Sequence, residues 1–197
     1  PTANPTNTAI APTATKTPVP PTATPTKTSV PPTATATSTP SSVACSANLI
    51  SNPGFESDTT GTHPAGWSGS GWVGGEYNGF NTQDGVKFAY VSGNHWMWVA
   101  VPSTVGKSYQ AIFYSGSHIP NPSQQVRLPF YDASSNVLAQ SSHTIVADME
   151  VLGEFGGPYT LELGPAPSGT TELRLEVTDG GNNYAKIDGV CLRETMT

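Results

Sequence analysis

Trp96 and Trp98 stand two residues apart in the run His95-Trp96-Met97-Trp98-Val99-Ala100-Val101. In an extended chain successive side chains point to opposite faces, so the two indoles share one face with Ala100 while Met97, Val99 and Val101 share the other. Flat rings of this kind stack on the C–H faces of pyranose sugars, and neighbouring polar groups take the hydroxyls. Trp96 and Trp98 are therefore candidate carbohydrate-binding residues, with Tyr114, Tyr131, Arg127 and His95 as candidates near the same surface. Two plainer roles compete: a loop covers the rings, or another subunit does. Trp67 and Trp72 flank a Gly/Ser turn and read as packing residues.

Catalytic chemistry has no comparable pattern. Glu56, Glu76, Asp84, Asp148, Glu150 and Glu154 are carboxylates of the kind that hydrolyse glycosides in pairs, but no spacing selects two of them. His63, His95, His118 and His143 are scattered without metal-ligand spacing, and no Ser/His/Asp set stands out. The chain reads as non-catalytic.

The elements that must position these residues are strands. Thr171-Glu172-Leu173-Arg174-Leu175-Glu176-Val177 alternates polar and apolar, a half-buried strand with Leu173, Leu175 and Val177 inward. Tyr109, Ala111 and Phe113 form one face of another strand, and Val126, Leu128 and Phe130 one face of a third. Turn residues at Asn52-Pro53-Gly54, Ser92-Gly93-Asn94, Asp132–Asn136 and Asp179–Asn182 separate the runs, and no helical period is sustained. Short strands between Gly/Pro/Asn turns predict an all-β, two-sheet sandwich or jelly roll.

Cys45 and Cys191 bracket this region almost end to end. Paired, they would close a loop of about 145 residues and constrain the unfolded chain by roughly 4–5 kcal/mol. Two buried free thiols are the alternative. A structural zinc site needs more ligands at shorter spacing.

Residues 1–42 are of another kind: almost all Thr, Pro, Ala and Ser, with Lys16 and Lys27 as the only charges. Such a segment cannot bury enough apolar surface to offset the entropy of ordering it. It repeats imperfectly, as Pro12-Thr13-Ala14-Thr15, Pro21-Thr22-Ala23-Thr24 and Pro32-Thr33-Ala34-Thr35. Proline restricts φ at its own position and the conformation of the residue before it, which predicts an extended, polyproline-II-like stalk reaching on the order of 130 Å. Thr13, Thr15, Thr22, Thr24, Thr26, Thr33, Thr35 and Thr37 are candidate O-glycosylation sites. Residues 43–197 then form one domain, large enough for its own core.

The formal net charge of the chain is −6, and since both stalk charges are positive the domain carries −8. That balance argues against nucleic acid and anionic membrane surfaces as partners, both of which need clustered Lys and Arg. No apolar run of 18 residues is present to span a bilayer. The chain starts at Pro1 without Met or a signal peptide, which fits either a mature secreted product or a chain prepared without its targeting segment. The expected location is extracellular or at the cell surface.

Asn48-Leu49-Ile50-Ser51-Asn52-Pro53-Gly54-Phe55-Glu56, followed by Gly66-Trp67, resembles the opening of bacterial carbohydrate-binding modules with the galactose-binding-like jelly-roll fold. Ala185-Lys186-Ile187-Asp188-Gly189-Val190-Cys191-Leu192 resembles their final strand. Val99–Pro102 leading to Tyr109, Val126–Asp132 and Ala166–Thr171 fall between them in the order of the family. The resemblance implies a structural calcium ion joining the first loop to the last strand, with Glu56 and Asp188 as carboxylate ligands and backbone carbonyls completing the shell. Gly189 stands where the family's second Asp is usual.

The first expectation for the whole chain is a structural subunit of an extracellular fibre or surface layer, with copies of itself as partners and carbohydrate recognition retained. The stalk would be ordered and glycosylated; its irregular Pro spacing leaves some N–H groups free to pair with a neighbour's edge strand, with Ile10 and Val30 as anchors. The alternative is a polysaccharide-binding module tethered by a passive linker to a secreted enzyme or the cell surface.

Overall fold

The computed structural model describes residues 45–75, 82–117, 123–145, 155–181 and 184–195. The stalk of residues 1–42, with its candidate glycosylation sites and the anchors Ile10 and Val30, lies outside the described residues.

Ten strands and no helix are found among the described residues: β1 (Ser68–Gly69), β2 (Trp72–Gly75), β3 (Lys87–Val91), β4 (Trp96–Pro102), β5 (Ser108–Ser117), β6 (Gln125–Asp132), β7 (Val137–Thr144), β8 (Gly156–Leu163), β9 (Thr170–Thr178) and β10 (Ala185–Thr195). They pair antiparallel into two five-stranded sheets. The first has the order β1-β4-β9-β6-β7 and the second β2-β3-β10-β5-β8. This is the expected two-sheet sandwich, and none of its described elements is a helix that could cross a membrane.

The core lies between the sheets and is built by the alternation legible in the sequence. Met97, Val99 and Val101 of β4, Leu173, Leu175 and Val177 of β9, and Val126, Leu128 and Phe130 of β6 are buried on the inner face of the first sheet. Tyr109, Ala111 and Phe113 of β5 with Ile187 and Leu192 of β10 are buried in the same core. Each such aliphatic side chain contributes roughly 1.5–3 kcal/mol relative to exposure. Every inward residue fixes its two neighbours outward, so the buried triplet of β4 holds Trp96 and Trp98 on the outer face.

Cys45 and Cys191 are joined in a disulfide, with Cα atoms 5.6 Å apart. The start of the domain is stitched to β10 beside that bond. Asn48 donates its side-chain amide to the Val190 carbonyl at 2.8 Å and accepts from the Leu192 N–H at 2.9 Å, and the Leu49 N–H donates to the Leu192 carbonyl at 2.7 Å. Asn48 and Leu49 thus bond to β10 beyond Ile187, where its pairing with β3 ends.

Candidate functional site

The outer face of the first sheet gathers Trp96 and Trp98 from β4, Arg174, Glu172 and Glu176 from β9, and Arg127 and Tyr131 from β6. Register brings them together: Trp98 is abreast of Glu176 and Ala100 of Arg174 on one side of β9, while Arg127 is abreast of Glu176 and Tyr131 of Glu172 on the other.

The rings form a row. Trp96 stacks on Trp98 with centroids 4.3 Å apart and planes 24° apart. The Arg174 guanidinium carbon lies 5.4 Å from the Trp98 ring centre and 4.3 Å from that of Tyr131. Trp98 is therefore flanked by Trp96 and Arg174, and at the end of the row stands Trp96, which is 41% exposed. Gly69 of β1 makes room for the row: at φ +91°, a Cβ there would fall 2.4 Å from the Trp96 carbonyl oxygen and 2.7 Å from the Trp98 ring.

Beneath the row the charges are paired. Glu176 is wholly buried although its side chain points outward, because Arg127 and Tyr131 close over it. Its Oε2 accepts from Arg127 Nε at 3.0 Å and also from the terminal nitrogen, and its Oε1 accepts from the Tyr131 hydroxyl at 2.7 Å. Arg174 in turn pairs with Glu172. Burial and then the bond to Glu176 push the Tyr131 phenol above its ordinary pKa. Two cations and two anions balance one another in this group.

Four of the five residues expected to bind sugar are brought together here. Tyr114 is not: it lies on β5 in the other sheet, cross-strand from Asp188 and against Gly189, whose Cβ would meet it at 3.0 Å. This corrects the expected grouping, since alternation shows which side of a strand a residue takes but not which sheet the strand joins. His95 is also turned away from the row; its Nδ1 is 2.6 Å from the Ser92 carbonyl and its ring meets Trp72 edge-on at 5.9 Å. Trp67 is a packing residue, as expected, against Phe55 at 5.6 Å. Trp72 stacks on Tyr90 in the second sheet at 5.9 Å. Glu172, Arg174 and Glu176 join the group, and the one sequence signal for them is the alternation with Leu173, Leu175 and Val177 that points them to the outer face.

Glu56 and Asp188 grip the two ends of one turn. Glu56 Oε1 accepts from the N–H groups of Val86 at 2.8 Å and Lys87 at 2.7 Å. Asp188 Oδ2 accepts from those of Gln83 at 2.6 Å and Asp84 at 2.9 Å, and its Oδ1 from Gly189 at 2.7 Å. Burial, with the Asp84 carboxylate nearby, outweighs these bonds and pushes Asp188 up to about 7. The Lys87 ammonium donates to the carbonyls of Glu56 at 2.8 Å and Asp58 at 2.6 Å. Among the described residues no group of three or more His, Cys, Asp or Glu side chains converges as a metal site.

The two antiparallel sheets and the core between them make the domain a two-sheet β-sandwich of the jelly-roll kind. No protein-family model and no curated protein matches the sequence. Among solved structures, the arabinose-bound α-L-arabinofuranosidase MgGH51 matches 78% of this chain at 16% identity with a TM-score of 0.56, and the chain spans 27% of that enzyme. TmCBM61, solved with β-1,4-galactotriose, matches 76% of this chain and 100% of its own at 16% identity and a TM-score of 0.48. The family 16 carbohydrate-binding module-2 matches 74% of this chain and 99% of its own at 17% identity and a TM-score of 0.48. At 16% identity the likeness to the arabinofuranosidase speaks for the fold alone.

Proposed function

We propose that the domain is a non-catalytic, extracellular carbohydrate-binding module whose ligand lies on the outer face of the first sheet. The observation that carries this reading is the Trp96–Trp98–Arg174–Tyr131 row, which holds one exposed indole face in a fixed orientation beside two guanidinium groups. Pre-orientation matters because immobilising a side chain on binding costs about 0.5–1.5 kcal/mol. Trp96 stacks a sugar ring, and Arg127, Arg174 and Glu172 take its hydroxyls. Internal charge balance and a domain charge of −8 suit a neutral polysaccharide over a polyuronate. Titration calorimetry against neutral plant and bacterial glycans tests this: Trp96→Ala abolishes heat that the unaltered chain gives, and Tyr114→Phe leaves it intact. Heat unaffected by Trp96→Ala would reject the site.

The fibre-subunit expectation rests on residues 1–42 and draws no support from the described domain, so the tethered binding module is the better-supported reading. A structural calcium ion is part of the proposal. The buried carboxylate of Asp188 has that of Asp84 beside it, a pair that a divalent cation would relieve, and Glu56 holds the other end of the same turn. Chelation should then lower the melting temperature by several degrees, since a ligand of the native state stabilises by mass action. An unchanged melt in excess chelator would remove calcium from the account.

A further inference from the structure

The covalent path through this domain is not the chain order. Cys45 and Cys191 are separated by 146 positions in sequence and joined directly through sulfur. Tension applied between the segment before Cys45 and the segment after Cys191 meets two parallel routes. One runs along residues 46–190 and can lengthen only by unfolding them; the other is a single covalent bridge of fixed length.

We infer that the disulfide is a force bypass. A pull transmitted along the Thr/Pro-rich segment enters the domain at Cys45, crosses to Cys191 and leaves along the end of β10, so residues 46–190 carry no end-to-end tension. Those residues include β1 to β9 and the whole Trp96 face. The local hydrogen bonds fit this role, because Asn48 and Leu49 bind Val190 and Leu192 beside the bridge, so the entry and exit of the chain meet on one strand. Beyond the bridge, Leu192 to Thr195 pair with Ala111 to Ser108 of β5, and only this four-residue end can peel under load. At about 3.5 Å per residue the peel lengthens the path by roughly 14 Å, against roughly 500 Å if the bracketed loop were pulled straight. The bypass acts whatever the outer face binds, so it does not rest on the carbohydrate reading.

Single-molecule force spectroscopy on the full chain, with handles attached before Pro1 and after Thr197, tests this directly. Under oxidising conditions the trace should contain no unfolding step of the domain. With dithiothreitol added to the folded chain in the instrument, or in the Cys45→Ser/Cys191→Ser variant, one step or a series of steps should release roughly 500 Å of contour length. The reduction arm keeps the comparison available if the double variant fails to fold. A step of that length in the oxidised chain, or identical traces with and without reductant, would overturn the inference.

Discussion

The outer faces of the two sheets carry similar residues and treat them in opposite ways. On the first sheet the charges meet opposite charges, Arg127 with Glu176 and Arg174 with Glu172, and the face stays open around a 41% exposed Trp96. On the second, Asp188 and Lys186 of β10 are buried beneath the chain that covers them. Burial pushes Asp188 up to about 7 and Lys186 down to about 8. The segment from Cys45 to Glu56 and the turn from Gln83 to Lys87 are bonded to this second sheet and to each other. In the proposed reading one face meets the ligand, whereas the other closes the ends of the domain. Substitutions on the second face should therefore lower stability, and those on the first should lower binding, except where they uncover a buried charge.

The largest effect is expected at the closing face. Loss of the disulfide in Cys45→Ser/Cys191→Ser should cost about 4–5 kcal/mol in urea unfolding. A loss below about 1 kcal/mol would mean that the Asn48 and Leu49 bonds alone hold the terminus to β10. Glu176→Ala is the exception on the open face: removing one partner of a buried ion pair strands Arg127 and should cost about 3–5 kcal/mol. A melt lowered by only a degree or two would show that water reaches this carboxylate. Gly69→Ala sets a methyl group against the Trp96 carbonyl and the Trp98 ring at an unfavourable φ, so about 1–3 kcal/mol of stability should go together with much of the sugar affinity. Trp96→Ala should be the purest test of the division, with affinity lost and stability changed by less than about 1 kcal/mol.

Much of this was legible in the sequence, for a simple reason. Alternation is a local property, so Leu173, Leu175 and Val177 announced one face of β9, and Met97, Val99 and Val101 one face of β4, without knowledge of any neighbour. The same alternation already placed Glu172, Arg174 and Glu176 outward. Which strand lies beside which is not local. Nothing in the run around Trp98 says that β9 is its neighbour and β6 the next, so Arg174 between Trp98 and Tyr131 could not be foreseen. Tyr114 fell to the same gap, because its outward position on β5 was readable and the sheet that β5 joins was not. The outline of a single domain with Cys45 and Cys191 at its ends allowed their pairing but left free thiols open, and the bond between them decides it.

The most direct test uses the four tryptophans as reporters, since Trp96 and Trp98 lie on the open face while Trp67 is in the core and Trp72 is on the second sheet. Indole N–H signals in a nitrogen–proton correlation spectrum would be followed as neutral oligosaccharides are added. The account predicts that the Trp96 and Trp98 signals move together along a saturable curve while those of Trp67 and Trp72 stay in place. Movement of Trp72 with Trp96 fixed, or four unmoved signals across glucan, xylan, galactan and arabinan fragments, would contradict it.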